Sequence, residues 1–167
     1  HMPLQSGSNK LLKAMRRRYD RNHYRNKVNL IKSLDPSACI GADVIVGFPG
    51  ETDDDFLDTY NFIRDLDLAY LHVFSYSERD NTDAKSYQNP VSKTKRSERS
   101  RILRNLSDEK RHLFQEQYIN STREVLFESM KSGYTIGYPD NYLRVKVPQS
   151  PAPINSIHSV NLKKDEG

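Results

Sequence analysis

The sequence predicts an α/β fold of parallel strands with crossover helices, followed by a long helix and a small all-β unit. Three observations lead there. Up to residue 76, apolar runs of strand length alternate with segments of helical periodicity. A long, highly charged helical stretch begins at Lys93. Beyond residue 120, short β-rich runs are separated by tight turns.

Taken in order, Pro3-Leu4-Gln5-Ser6-Gly7-Ser8 reads as the end of a strand running into a loop. Ser8 or Asn9 can cap a helix carrying Leu11, Leu12, Met15 and Tyr19 on one side. A second helix places Tyr24, Val28, Ile31 and Leu34 at helical spacing and ends at Asp35-Pro36. The β-branched run from Cys39 to Phe48 predicts a strand buried on both faces, as in a parallel sheet. Pro49-Gly50 turns the chain, and Thr52-Asp53-Asp54-Asp55 matches a capping box for a helix with Phe56, Tyr60 and Ile63 inward. Ala69 to Tyr76 is another strand, so the order over 1–76 calls for right-handed crossovers. Residues 77–92 are a polar loop. The helix from Lys93 to about Ile119 carries Ile102, Leu106, Leu113 and Tyr118 as a loose apolar stripe. Arg123–Ser129, Gly133–Tyr138, Tyr142–Val147 and Ser156–Leu162 read as strands. The expected domains are 3–92, a connecting basic helix at 93–120, and a β-domain at 121–167.

The 167 residues are 35% hydrophobic and 29% charged, which suits one medium domain or two small ones. No apolar run approaches the roughly 20 residues of a membrane helix, and the start has no signal-peptide pattern. A cytoplasmic location is expected. The opening His1-Met2 reads as an expression remnant. The single cysteine, Cys39, rules out an internal disulfide and any multi-cysteine metal site within this chain. Charge is segregated. Residues 1–34 hold nine Lys/Arg and one acid, residues 43–67 eight acids and one base, and residues 93–118 eight bases and four acids. Such blocks suit a polyanionic partner on selected faces, or simply well-solvated helices.

Chemistry concentrates at strand ends. Gly47, after Ile45 and Val46, lies where parallel sheets bind ligands, although Gly and Pro there also serve ordinary strand–turn–helix geometry. Gln5 and Ser8 can bind a ribose or carboxylate, or cap the following helix. Arg79 can bind phosphate or pair with Glu78 or Asp80. The histidines show no metal-ligand spacing, and no Ser–His–Asp order, phosphate-binding glycine loop or paired-carboxylate motif stands out.

In order, Pro3 to Ser8, Met15-Arg16-Arg17-Arg18-Tyr19, Asp43 to Thr52 and Phe74-Ser75-Tyr76-Ser77-Glu78-Arg79 resemble the second half of the radical-SAM tRNA methylthiotransferases. Gly137 to Val145 resembles the strand pair of that family's C-terminal TRAM domain, and Leu71 to Arg79 leans towards the branch acting on N6-threonylcarbamoyladenosine. The resemblance implies the last three strands of a partial TIM barrel and an OB-like TRAM domain, incomplete in this chain. The parent enzyme would add a methylthio group to a modified adenosine in tRNA, using S-adenosylmethionine (SAM) and two [4Fe–4S] clusters. No metal ligands or catalytic residues are expected in this chain, since the cluster cysteines of the family are absent from it. It would be inactive alone and would hold no cluster. SAM would be lined by Gln5, Ser8, Ile45, Gly47 and Phe74, and tRNA contacted by Tyr142, Arg144, Lys146 and Arg79. Asp43 departs from the family pattern, in which glycine is frequent. An open barrel edge suggests a homodimer. The competing readings are a non-catalytic RNA-binding module and a different α/β-barrel enzyme such as a hydrolase.

Overall fold

The structure, a computed structural model, describes residues 1–78, 87, 89–148 and 153–164. It divides into two compact units, His1–Arg111 and His112–Gly167. This division falls within a helix that the sequence assigns whole to 93–120.

In the first unit, α1 (Asn9–Ala14) and α2 (Arg21–Leu34) precede β1 (Gly41–Val46); α3 (Asp53–Arg64) leads to β2 (Tyr70–Ser75). β1 and β2 pair in parallel, Gly41 opposite Tyr70 and Val46 opposite Ser75. The opening segment runs along the other edge of β1. Met2 N–H donates to Gly41 O (2.9 Å), Ile45 N–H donates to Gln5 O (2.9 Å), and Gln5 bridges Val44 in parallel sense. The order bridge–α1–α2–β1–α3–β2 is the one the hydrophobic periodicity predicts. Met2, set aside in the sequence reading, packs against the core.

The helices cover one face of this sheet. Ala42, Val44 and Val46 are buried with Leu4, Val28, Phe62, Ile63 and Leu103. Asp43 and Ile45 point the other way and are only half-buried, beside exposed His72 and Phe74 on β2. A strand covered on both faces was expected; in this unit its second face stays partly open.

Local capping explains where the helices begin. Asp20 accepts a hydrogen bond from His23 N–H at the start of α2. At α3, Thr52 and Asp55 form the reciprocal capping box. The apolar stripes need correction. Leu34 is exposed rather than inward, and in α3 Phe62 and Ile63 carry the burial while Phe56 and Tyr60 are half-covered. In α4 (Lys93–Glu116), Leu103 and Leu106 are buried, Ile102 is half-buried and Leu113 is exposed. Lys110 continues that stripe. Its ammonium donates to Arg64 O (3.1 Å) and Leu66 O (2.7 Å), and a lysine in an apolar register hides the stripe from sequence reading.

The second unit is a four-stranded antiparallel sheet, order β5-β4-β3-β6, formed by β3 (Thr122–Lys131), β4 (Tyr134–Tyr138), β5 (Val145–Pro148) and β6 (Ser156–Asn161). Ser132 and Gly133, at φ 51° and 79°, make the two-residue hairpin turn that matches strand twist. A bulge between Phe127 and Ser129 bends β3. Val125, Phe127, Ile136 and Val145 fill the core. The last predicted hairpin strand starts later than expected. Tyr142 sits at φ 57° with its N–H donating to Pro139 O (3.0 Å), so 139–142 is a turn and pairing begins at Val145. No helix among the described residues is long and apolar enough to cross a membrane.

Candidate active-site cleft and basic β-face

At the C-terminal tips of β1 and β2 lies an open cleft of ≈ 240 Å³, lined by Ala14, Met15, Arg16, Arg17, Ile45, Phe48, Tyr76 and Tyr87. Ligands gather at that end of parallel sheets because strand ends and helix starts converge there. Three aromatic rings form a wall, with Phe48 edge-on to Tyr76 (5.5 Å) and to Tyr87 (5.8 Å). The Tyr76 hydroxyl is buried and makes no hydrogen bond within the protein. Among the described lining residues two are arginines and none is an acid.

Two buried arginines on α4 hold this wall in place. Arg96 donates from Nε to Val91 O (2.8 Å), from Nη1 to Tyr76 O (2.9 Å) and from Nη2 to Glu78 Oε1 (2.5 Å). Its guanidinium lies 5.3 Å from the Tyr76 ring centre. The Arg96 side chain holds the Glu78 carboxyl at about 2, well below its ordinary range. Arg99 pairs with Glu51, at side-chain exposures of 3% and 1%. Glu51 Oε2 accepts both Arg99 Nη1–H (2.5 Å) and Gly47 N–H (2.7 Å). Burial pushes the Glu51 carboxyl up, against the lowering pull of the Gly47 amide and Arg99.

The structure distributes the sequence-predicted cofactor residues unevenly. Ile45 lines the cleft, and Phe74 lies opposite it in the strand register, half-exposed on the same face. Gln5 is buried at φ 71° behind the cleft, where its Oε1 accepts from Arg17 Nη2 (3.0 Å). Ser8 is turned to α3 and donates to Asp55 Oδ1 (2.9 Å); it caps α1 without a side-chain hydrogen bond. Gly47 faces Arg96: an added Cβ would lie 2.3 Å from Arg96 Cγ. Its φ of 78° and its amide bond to Glu51 make it a turn residue. Met15, Arg16, Arg17, Phe48, Tyr76 and Tyr87 were not singled out as site residues. The signal was the Met15–Arg18 run directly behind a short helix, next to a strand tip.

His1, Asp43 and His72 bring ligand-type atoms within 4.8 Å of one another. Register sets Asp43 opposite His72, and His1 joins them through Nε2, 2.7 Å from Asp43 Oδ1, with its ring 4.9 Å from that of His72; exposed groups of this kind are common without an ion, and the trio carries no assigned role.

In the β-unit, Tyr142, Arg144 and Lys146 are exposed while Leu143 and Val145 are buried. The alternation expected of this stretch therefore holds through the turn into β5. Lys146 Nζ lies 5.2 Å from the Tyr134 ring centre. Arg79 lies outside the described residues.

Similarity to known proteins falls on the segments that build the cleft. Residues 1–63 match the Radical SAM superfamily model. Over 98% of the chain, 37% of residues are identical to a threonylcarbamoyladenosine tRNA methylthiotransferase of Bacillus subtilis, covering 38% of that protein. The chain belongs to the radical SAM tRNA methylthiotransferase family. A second relative in that family is the tRNA-2-methylthio-N(6)-dimethylallyladenosine synthase of Rickettsia canadensis, 40% identical over 77% of the chain and 29% of the relative. A third is the threonylcarbamoyladenosine enzyme of Aquifex aeolicus, 43% identical over 70% of the chain and 28% of the relative. The chain thus spans less than two fifths of the length of these relatives.

The cleft fits the adenosine part of SAM: it offers Ile45, an aromatic wall and the unpartnered Tyr76 hydroxyl. The iron–sulfur clusters do not fit this chain. Its one cysteine, Cys39, precedes β1 and lies at the opposite end of that strand from the cleft. Burial also pushes its thiol up, away from the thiolate form a ligand needs.

Proposed function

We propose that this chain is the later part of the catalytic barrel, with the tRNA-gripping TRAM domain, of an enzyme that adds a methylthio group to N6-threonylcarbamoyladenosine in cytoplasmic tRNA. The observation that carries the substrate choice is the charge of the cleft. Its relatives modify either a threonylcarbamoyl or a dimethylallyl adenosine at similar identity. A dimethylallyl group is apolar and gains no polar contact from the two arginines in the lining, Arg16 and Arg17. A threonylcarbamoyl group ends in a carboxylate that a guanidinium binds through paired charge-assisted hydrogen bonds.

SAM and the iron–sulfur clusters would supply the radical chemistry. Both clusters would be held by residues outside this chain, which by itself would not catalyse. The chain's own part is positioning. Ile45, Phe48 and Tyr76 shape the floor for an adenosine, Arg96 and Arg99 fix the strand tips, and the face of Tyr142, Arg144 and Lys146 holds the tRNA backbone. Arg79 would join that grip. The sheet edge beside the opening segment at Leu4–Gln5 offers a route to a homodimer, which light scattering of the purified chain would detect.

The test is nucleoside analysis of host tRNA by mass spectrometry after deletion of the gene and its complementation. Loss of the 2-methylthio form of threonylcarbamoyladenosine on deletion, restored by the gene, is the expected result. Loss of the 2-methylthio dimethylallyl nucleoside instead would overturn the substrate reading.

A further inference from the structure

The start of α2 carries positive charge that the fold leaves uncompensated. The helix holds four Lys/Arg and no acid, and Arg21 opens its first turn, at the positive end of the helix dipole. Arg25 follows one turn later, where like charges repel across the helix surface. The N-cap acid, Asp20, is engaged with the His23 amide. Both guanidiniums stack on one ring. Arg21 Cζ and Arg25 Cζ each lie 5.2 Å from the ring centre of Phe62, a buried residue of α3. Stacking fixes the place of a guanidinium without using its N–H groups. Among the described residues neither side chain makes a hydrogen bond or an ion pair, and Arg25 Nε is buried with no acceptor. The acids of α3 serve other cations: Asp53 pairs with Lys95 and Arg99, and Asp55 with Lys10. Asp54 and Asp58 are exposed, and neither forms an ion pair with these arginines. A cation at a helix start, a like charge one turn on and a buried N–H without an acceptor each cost free energy. An anion laid across the two guanidiniums relieves the first two and supplies acceptors for their N–H groups.

We propose that Arg21 and Arg25 form a phosphate-binding pair that contacts the sugar–phosphate backbone of tRNA. This rests on the tRNA reading above and goes further, because it gives the first compact unit an RNA contact of its own. Two planar forks side by side match phosphate oxygens. Contacts of that kind position the RNA and carry no sequence information.

The test uses the complete enzyme. Binding of tRNA purified from the deletion strain is measured by fluorescence anisotropy over a series of salt concentrations. Circular dichroism melts and light scattering accompany each variant. The Arg21→Gln, Arg25→Gln double variant should bind tRNA about tenfold more weakly. Its slope of log K against log salt should flatten by about 0.7–0.9 for each arginine. Its Tm should stay within about 2–4 °C of wild type, since lost stacking on Phe62 and relieved repulsion oppose each other. The corresponding double lysine variant keeps the charge but not the planar fork, so it should keep the slope and lose less affinity. Arg64→Gln removes an equal charge from an arginine already 3.0 Å from Asp65, and should leave the slope unchanged. An unchanged slope in the double glutamine variant, whether or not affinity falls, overturns the proposal. So does an equal effect in Arg64→Gln, which would make net charge the cause. A Tm lowered beyond that range would make the arginines structural, and a change in the mass of the enzyme would give them an acidic protein surface as partner; either overturns it too. Wild-type enzyme that binds no tRNA would remove this proposal and the tRNA reading together. Loss of the 2-methylthio dimethylallyl nucleoside in the deletion strain would remove only the substrate assignment, and a flattened slope would stand.

Discussion

Glu51 and Arg99 form an ion pair almost free of solvent, and a second bond from Glu51 ties it to the Gly47 amide at the tip of β1. Removing Glu51 leaves the buried Arg99 guanidinium with the exposed Asp53 carboxylate (2.7 Å) as its charge partner and takes the acceptor from the Gly47 amide, which costs more than the pair itself contributes. Glu51→Ala is therefore expected to destabilise the chain by about 3–5 kcal/mol in urea denaturation. A loss under about 1 kcal/mol would mean that the charge is readily solvated. Gly47 is constrained from two sides, by φ 78° and by Arg96 Cγ at 2.3 Å from any added Cβ. Gly47→Ala should cost about 1–3 kcal/mol of stability, read from the same experiment.

At the scale of elements, the start of α3 joins stability to pH. Asp55 is drawn up by burial, but bonds from Lys10, Thr52 and Ser8 outweigh this and bring its carboxyl to about 2. The folded value lies below the ordinary 3.8, so the carboxylate stabilises the fold above about pH 4, and that contribution fades as pH falls towards 2. The stability gap between wild type and Asp55→Asn should accordingly be widest near neutrality and close between pH 4 and 2 in acid-denaturation series. Thr52→Ala removes the other half of the capping box and should cost about 1 kcal/mol. A helix start was legible here because Thr52 and Asp55 are three residues apart. The burial of this helical stretch was legible in part: Leu106 and Tyr118 are buried as the stripe predicts, but Lys110 also occupies a core register, satisfied by the carbonyls of Arg64 and Leu66 from a different segment.

Across the whole molecule, charge is spread over two separate compact units, and each supplies a distinct test. In the β-unit the exposed side of the turn and β5 presents Tyr142, Arg144 and Lys146 above a buried layer of Leu143 and Val145. If this face holds phosphates, the Arg144→Ala, Lys146→Ala double variant should weaken tRNA binding and flatten the dependence of log K on log salt by about 1–2. The measurement belongs in the complete enzyme, with circular dichroism to verify folding. An unchanged slope would remove this face from the interface.

The local elements of this protein were determined by the sequence itself, because they depend on neighbours in the chain. The Thr52–Asp55 cap, the Ser132-Gly133 turn and the alternation from Leu143 to Val147 all act within a few residues. The family could likewise be read from the ordered tip segments. What only the tertiary structure decided is which tip residues share a space. Register set Ile45 beside Phe74, Asp55 drew Ser8 away towards α3, and Arg96 filled the room next to Gly47. The same packing brought Arg16 and Arg17, from the end of a short helix, against Phe48 and Tyr76 from two strand tips. Such groupings arise between positions some thirty to sixty residues apart, where side-chain direction is settled by packing and backbone angle and leaves no periodic trace in the chain.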